Sequence, residues 1–165
     1  MSTATAMAVE AIEEQQDLFL TFHVHGEDYG IAIQHVIEII GIQKITQVPE
    51  MPVCYKGIIN LRGRVIPVMD VRLRFGHEEK VHDERTCFIV VQIDETIVGL
   101  IVDQVKEVQE ISAEMIEPPP KTGRDNNYVL GIGKVADEVK ILLDIERLIT
   151  YEGLDERPEN RSTTC

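Results

Sequence analysis

The chain has 165 residues, 44% hydrophobic and 27% charged, with 16 Lys and Arg against 29 Asp and Glu for a formal net charge of −13. That length suits one ordinary domain or two small units sharing a core, and the negative field argues against general binding to nucleic acid or anionic lipid surfaces. No run nears the roughly eighteen apolar residues of a membrane span, the N-terminus lacks the basic start and apolar run of a secretory signal, and three scattered cysteines (Cys54, Cys87, Cys165) fit reduced thiols in a cytoplasmic protein.

Residues 1–16 are rich in Ala, Thr and Glu and read as a flexible tail, as does the polar stretch 153–165. Residues 17–152 read as one domain. It opens with "DLFLTFHV", where Leu18, Leu20, Phe22 and Val24 alternate as on a half-buried strand. "GIAIQHVIEI" (30–39), "TCFIVVQID" (86–94), "TIVGLIVDQV" (96–105) and "VKILLDI" (139–145) continue the pattern of short strands rich in β-branched residues. Glycine and proline punctuate them closely, which points to a small barrel or sandwich with helix confined to short pieces.

The chain also repeats itself. "GIAIQHVIEI" aligns with "GLIVDQVKEV" (99–108) at an offset of 69, and "GIINLRGRVIPVMDV" (57–71) with "GIGKVADEVKILLDI" (131–145) at an offset of 74. A longer connection around "PPPKTGRDNN" (118–127) accounts for the slip of five. Two units are therefore expected, roughly 26–85 and 86–150, each too short to bury much surface alone. They should share a core and leave a groove suited to a partner's apolar helix. Asp70 and Asp144 fall at equivalent points before "VRLRF" and "IERLI", the position of a helix N-cap carboxylate.

Catalytic and metal constellations are lacking. "HEEKVH" (77–82) spaces its histidines five apart, and a zinc-protease helix needs four. His23 and His25 give two ligands without a third, and read as an exposed strand face. "GIGKV" (131–135) lacks the length and hydroxyl residue of a phosphate loop. No enzyme, cofactor or metal is expected.

One segment stands out. Residues 56–74 carry Lys56, Arg62, Arg64, Arg72 and Arg74 against Asp70 alone, a local charge of +4; the equivalent 130–148 comes to −1. The barrel does not require these arginines, since its second copy does without them. Arginine suits bidentate recognition of carboxylates and is enriched at interfaces, so an acidic partner is the natural inference. An alternative is a regulatory barrel protein binding an anionic ligand or nucleic acid through Arg62–Arg74; Phe75 is the single aromatic nearby, where single-strand binders use several.

The run "P…KGIINLRGRVIPVMDVRLRFG", preceded by "DYGIAIQHVIEI" and followed by "VGLIVDQVKEV" and "PPP…YVLGIGK…ILLDIERL", resembles the CheW family of bacterial chemotaxis coupling proteins over roughly residues 17 to 150. The resemblance implies an all-β fold of two five-stranded SH3-like barrels packed around a shared core. It also implies a non-catalytic scaffold that links chemoreceptors to the regulatory domain of the histidine kinase CheA. That scaffold would be cytoplasmic, recruited to membrane receptor arrays through its partners without inserting in the membrane or binding nucleic acid. Family positions for kinase contact match Val36 and Gly57; those for receptor contact match Glu38 and Arg62, with Ile33 and Ile39 on the same surface. From alternation alone, Val36 and Glu38 are expected on an outward face of the 30–39 strand.

Overall fold

The computed structural model describes residues 17–120 and 127–150; the tails expected at 1–16 and 153–165 lie outside the described residues. Eleven strands fill most of the rest: β1 (Leu18–Val24), β2 (Glu27–Ala32), β3 (Val36–Gly41), β4 (Tyr55–Leu61), β5 (Arg64–Asp70), β6 (Cys87–Ile93), β7 (Thr96–Val102), β8 (Gln104–Glu110), β9 (Ile116–Glu117), β10 (Val129–Val135) and β11 (Glu138–Leu143). Two short helices, α1 (Val71–Arg74) and α2 (Ile145–Ile149), follow β5 and β11. Each starts at the expected aspartate: Asp70 accepts from the Arg72 N–H at 3.0 Å and Asp144 from the Arg147 N–H at 3.3 Å.

The internal repeat is structural. β1, β2, β3, β4, β5 and α1 correspond in order to β6, β7, β8, β10, β11 and α2. The strands sort into two sheets, β8-β1-β2-β11-β10-β9 and β3-β6-β7-β5-β4. In the second sheet the chain beyond β3 returns to β4 through the Thr46–Ile58 bridge, and in the first β9 pairs with β10. Each sheet thus closes on itself as a small barrel.

The expected units 26–85 and 86–150 are not the two barrels. The β1–β2 hairpin of the first repeat sits among β8–β11, and the β6–β7 hairpin of the second sits among β3–β5. Parallel pairs seal the exchange, with Ile141 opposite Tyr29 in one barrel and Val68 opposite Gly99 in the other. A repeat reveals which strands are equivalent, while either hairpin satisfies the same local pairing pattern. Only long-range packing decides which barrel receives it.

The exchange explains the shared core. Phe22, Val24 and Ile31 of one sheet pack with Met69, Ile89, Val91 and Leu100 of the other in a single buried cluster. Inside the β3–β7 barrel lies a separate apolar filling of Ile59, Ile66, Val68, Phe88, Val90, Ile97 and Ile101. The other barrel holds only Phe19, Ile111 and Leu142 in its equivalent cluster. There, Thr21, Asp28, Gly133 and Lys140 replace Val90, Ile97, Ile59 and Ile66. Lys140 is 3% exposed, bonded to Asp28 at 2.7 Å and Glu138 at 2.9 Å. One barrel is oily inside, and its twin is ionic.

Candidate partner-docking site

The β4–β5 hairpin turns on two residues, Arg62 (φ 53°) and Gly63 (φ 85°), both in the left-handed region that a tight type I′ turn requires. The Asn60 side-chain oxygen accepts from the Gly63 N–H at 2.8 Å and fixes the turn. This geometry puts Arg62 at the tip, from which its guanidinium reaches across to β3. It donates to both oxygens of Glu38, at 2.9 and 2.6 Å. The arrangement is the bidentate fork that only arginine makes with a carboxylate. The hydrogen bonds and charge of Glu38 push the Arg62 pKa above its ordinary value. The Arg62 side chain is 73% exposed and that of Glu38 is 22% exposed, so the pair faces solvent from a fixed base.

β3 itself presents a different face from the one alternation suggests. Val36 pairs with Val91 and Glu38 with Val90, leaving Ile37 as the extra residue of a bulge. Ile37 and Ile39 point outward at 48% and 44% exposure, while Val36, Glu38 and Ile40 are half-buried. The outward face is therefore aliphatic, with the Glu38–Arg62 pair at its border. Ile33, in the turn before β3, and Val36 pack against the shared core.

Gly57 is buried in β4 with φ 145°. A Cβ there would run into the Thr46 carbonyl, whose carbon is 2.8 Å from that point. Glycine at 57 is thus a condition for the 45–46 segment to close the barrel against β4. Gly131, its equivalent, would meet Ile116 and Glu117 in the same way. The expected site residues fall into three settings: Glu38, Ile39 and Arg62 at the surface, Val36 and Ile33 on the shared core, and Gly57 beneath the barrel seam.

The arginine segment divides too. Arg72 donates its Nε and Nη2 to Asp103 at 2.9 and 2.7 Å, joining α1 to the β7–β8 junction. Burial pushes the Asp103 carboxyl up, but the Arg72 hydrogen bonds and charge and the His25 N–H bring it below its ordinary value. Arg74 lies 4.7 Å from the Tyr128 ring centroid and donates to the Leu148 carbonyl at 2.9 Å, joining α1 to α2. Both guanidiniums are part of the protein's own packing. Arg64 remains exposed near the hairpin tip. The histidines are engaged as well: His23 bonds Asp28 at 2.8 Å, and His25, in the β1–β2 turn, stacks on His77 at 3.9 Å. No cluster of three or more His, Cys, Asp or Glu fit to hold a metal occurs among the described residues.

The CheW-like domain family matches residues 18–153. The chain is 34% identical to the chemotaxis protein CheW of Klebsiella aerogenes, covering 92% of this chain and 91% of that one. It is 33% identical to the CheW of Helicobacter pylori, over 88% and 89%. The crystal structure of the scaffolding protein TtCheW from Thermoanaerobacter tengcongensis superimposes with a TM-score of 0.75 at 38% identity, covering 84% of this chain and 90% of that chain. The chain belongs to the CheW-like domain family.

As a CheW-family chain it is a chemotaxis scaffold of two barrels. No helix among the described residues is long and apolar enough to cross a membrane. What sequence reading missed in this CheW-like domain are the partners of its inner arginines. Asp103 and Tyr128 lie 31 and 54 residues from Arg72 and Arg74, and nothing local in the sequence marks either pairing.

Proposed function

We propose that this chain couples chemoreceptors to the histidine kinase CheA in receptor arrays, as an adaptor without catalytic activity of its own. The aliphatic surface of β3 (Ile39, with Ile33 behind it), bordered by Glu38 and Arg62, receives the receptor's cytoplasmic helical tip. Kinase contact falls on the surfaces that Val36 and Gly57 shape: the entry to β3, and the seam where the 45–46 segment meets β4. The protein is then cytoplasmic and reaches the membrane array through these partners.

One observation carries the reading. The Glu38–Arg62 fork ties β3 to the β4–β5 hairpin beside two exposed isoleucines. The sister barrel closes without such a fork, with Glu107 and Ala136 at the equivalent positions. Architecture does not demand the pair, so partner recognition accounts for it better. An anionic ligand or nucleic acid along Arg62–Arg74 is less well supported, because Arg72 and Arg74 are committed to packing within the chain. The test is binding of the purified protein to a receptor signalling-tip fragment and, separately, to the CheA regulatory domain. Arg62→Glu should weaken the receptor arm and spare the kinase arm; loss of neither, or of both alike, counts against the assignment.

A further inference from the structure

A cavity of about 470 Å³, with no residue of β3 among its described lining, opens where the β6–β7 hairpin, the 50–52 segment and α2 meet. Its walls are apolar, formed by Met51, Tyr55, Pro67, Ile93, Val98 and Ile149. Its rim carries three exposed carboxylates, Glu50, Asp94 and Glu146, and no lysine or arginine lines it among the described residues. The volume falls in the range of pockets that receive a ligand group.

The internal repeat shows what such a place looks like when filled. Val98 and Ile149, both in the cavity wall, correspond to Tyr29 and Phe75 by the offsets of 69 and 74. Those two rings stack at 4.8 Å, and Phe75 stacks in turn on Tyr128 at 5.4 Å. The rim differs as well. Asp94 and Glu146 correspond to His25 and Arg72, which face each other at 3.4 Å. One copy is closed by its own aromatic rings beneath a histidine and an arginine. The other has smaller apolar walls beneath carboxylates.

We propose that this cavity docks a protein partner by taking in one aromatic side chain from a segment that carries lysine or arginine on either side. The ring replaces the Phe75 equivalent that the second copy lacks, and the basic flanks meet Glu50, Asp94 and Glu146. Aromatic anchors in apolar pockets dominate protein recognition, and charges at the rim set partner choice and encounter rate.

The test titrates the ¹⁵N-labelled full chain with the peptide acetyl-KRWRK-amide, following the amides of Ile93, Thr96 and Thr150. Saturable shifts are expected at these positions, weaker by at least about fivefold for acetyl-EDWDE-amide, for acetyl-KRARK-amide and for the Glu146→Lys variant. Ile149→Phe, which installs the ring found at Phe75, should abolish the shifts; Glu146→Lys is exposed and leaves the fold intact even where that variant does not. The proposal is overturned by the absence of saturable shifts up to millimolar peptide, or by equal response to the acidic peptide. It is overturned equally by binding that emerges only in Tyr151→Ala, which would assign the cavity to the chain's own ring. Shifts at the same amides that follow protein concentration without peptide would assign it to a second copy and likewise overturn it.

Discussion

Replacing Lys140 and Asp28 together by isoleucine gives the ionic barrel interior the two residues its twin has there, Ile66 and Ile97. Lys140 is 3% exposed and held by Asp28 at 2.7 Å and Glu138 at 2.9 Å. Asp28 also bonds His23 at 2.8 Å and lies 3.5 Å from Lys106. Removing one member of a buried pair leaves the other charge desolvated, which costs ~3–5 kcal/mol in fully buried cases. Lys140→Ile should cost about 2–3 kcal/mol, because His23 and Lys106 still attend Asp28, and Asp28→Ile about 1–2 kcal/mol, because Glu138 still attends Lys140. The double Ile substitution should be within about 1 kcal/mol of the parent, or more stable, since apolar replacements of buried ion pairs often are. Urea unfolding of the four proteins at neutral pH supplies the double-mutant cycle. A double variant that lost as much as the two single losses added together would show that the site cannot pack isoleucine, and the equivalence of the two barrel interiors would fail.

Other expectations follow from the same structure. Burial raises the Asp28 carboxyl, but bonds to Lys140 and His23 with the charges of Lys140 and Lys106 outweigh it and lower the pKa from 3.8 to about 2. A depressed folded-state pKa stabilises above the unfolded value and is lost as pH falls through the folded one, so Asp28 contributes about 1–2 kcal/mol that vanishes between about pH 4 and 2. Asp28→Asn should flatten that limb of an acid-unfolding profile. Gly57→Ala should destabilise by about 2–4 kcal/mol, combining a strained φ with a collision at the 45–46 segment. Hydrogen exchange should then speed up first at Thr46 and Ile58, whose amides bond each other's carbonyls at 2.8 and 2.9 Å. Asp103→Ala should cost about 2 kcal/mol in thermal or urea unfolding, since it leaves the half-buried Arg72 guanidinium unpaired.

Much of the fold is legible in the sequence because its signals are local. Period-two alternation in residues 18–24 needs only neighbouring residues to read, and the strand there is β1. The capping aspartates before "VRLRF" and "IERLI" are equally local, and both accept from the first turn of a helix. The internal repeat exposed the equivalence of strands across 69 and 74 residues. What it could not carry is the exchange of hairpins, since β2 beside β5 and β2 beside β11 satisfy the same pattern and differ only in tertiary packing. The outward face of β3 is a different matter: alternation holds from Val36 to Gly41, but Val36 and Ile40 on one face and Ile37 and Ile39 on the other are equally aliphatic, so period two does not say which face the core takes. Within the candidate site, Glu38 and Arg62 were found through resemblance and charge, and the structure pairs them. Arg72 and Arg74 looked equally available, yet Asp103 and Tyr128 engage them from distant parts of the chain.

The most direct test of the adaptor reading is reconstitution of CheA autophosphorylation with a receptor signalling fragment, with and without this protein. Kinase activity should rise only when all three are present, and should fall back toward the two-component level with Glu38→Lys at unchanged thermal stability. Activity that is the same without the protein, or untouched by Glu38→Lys, would contradict the account.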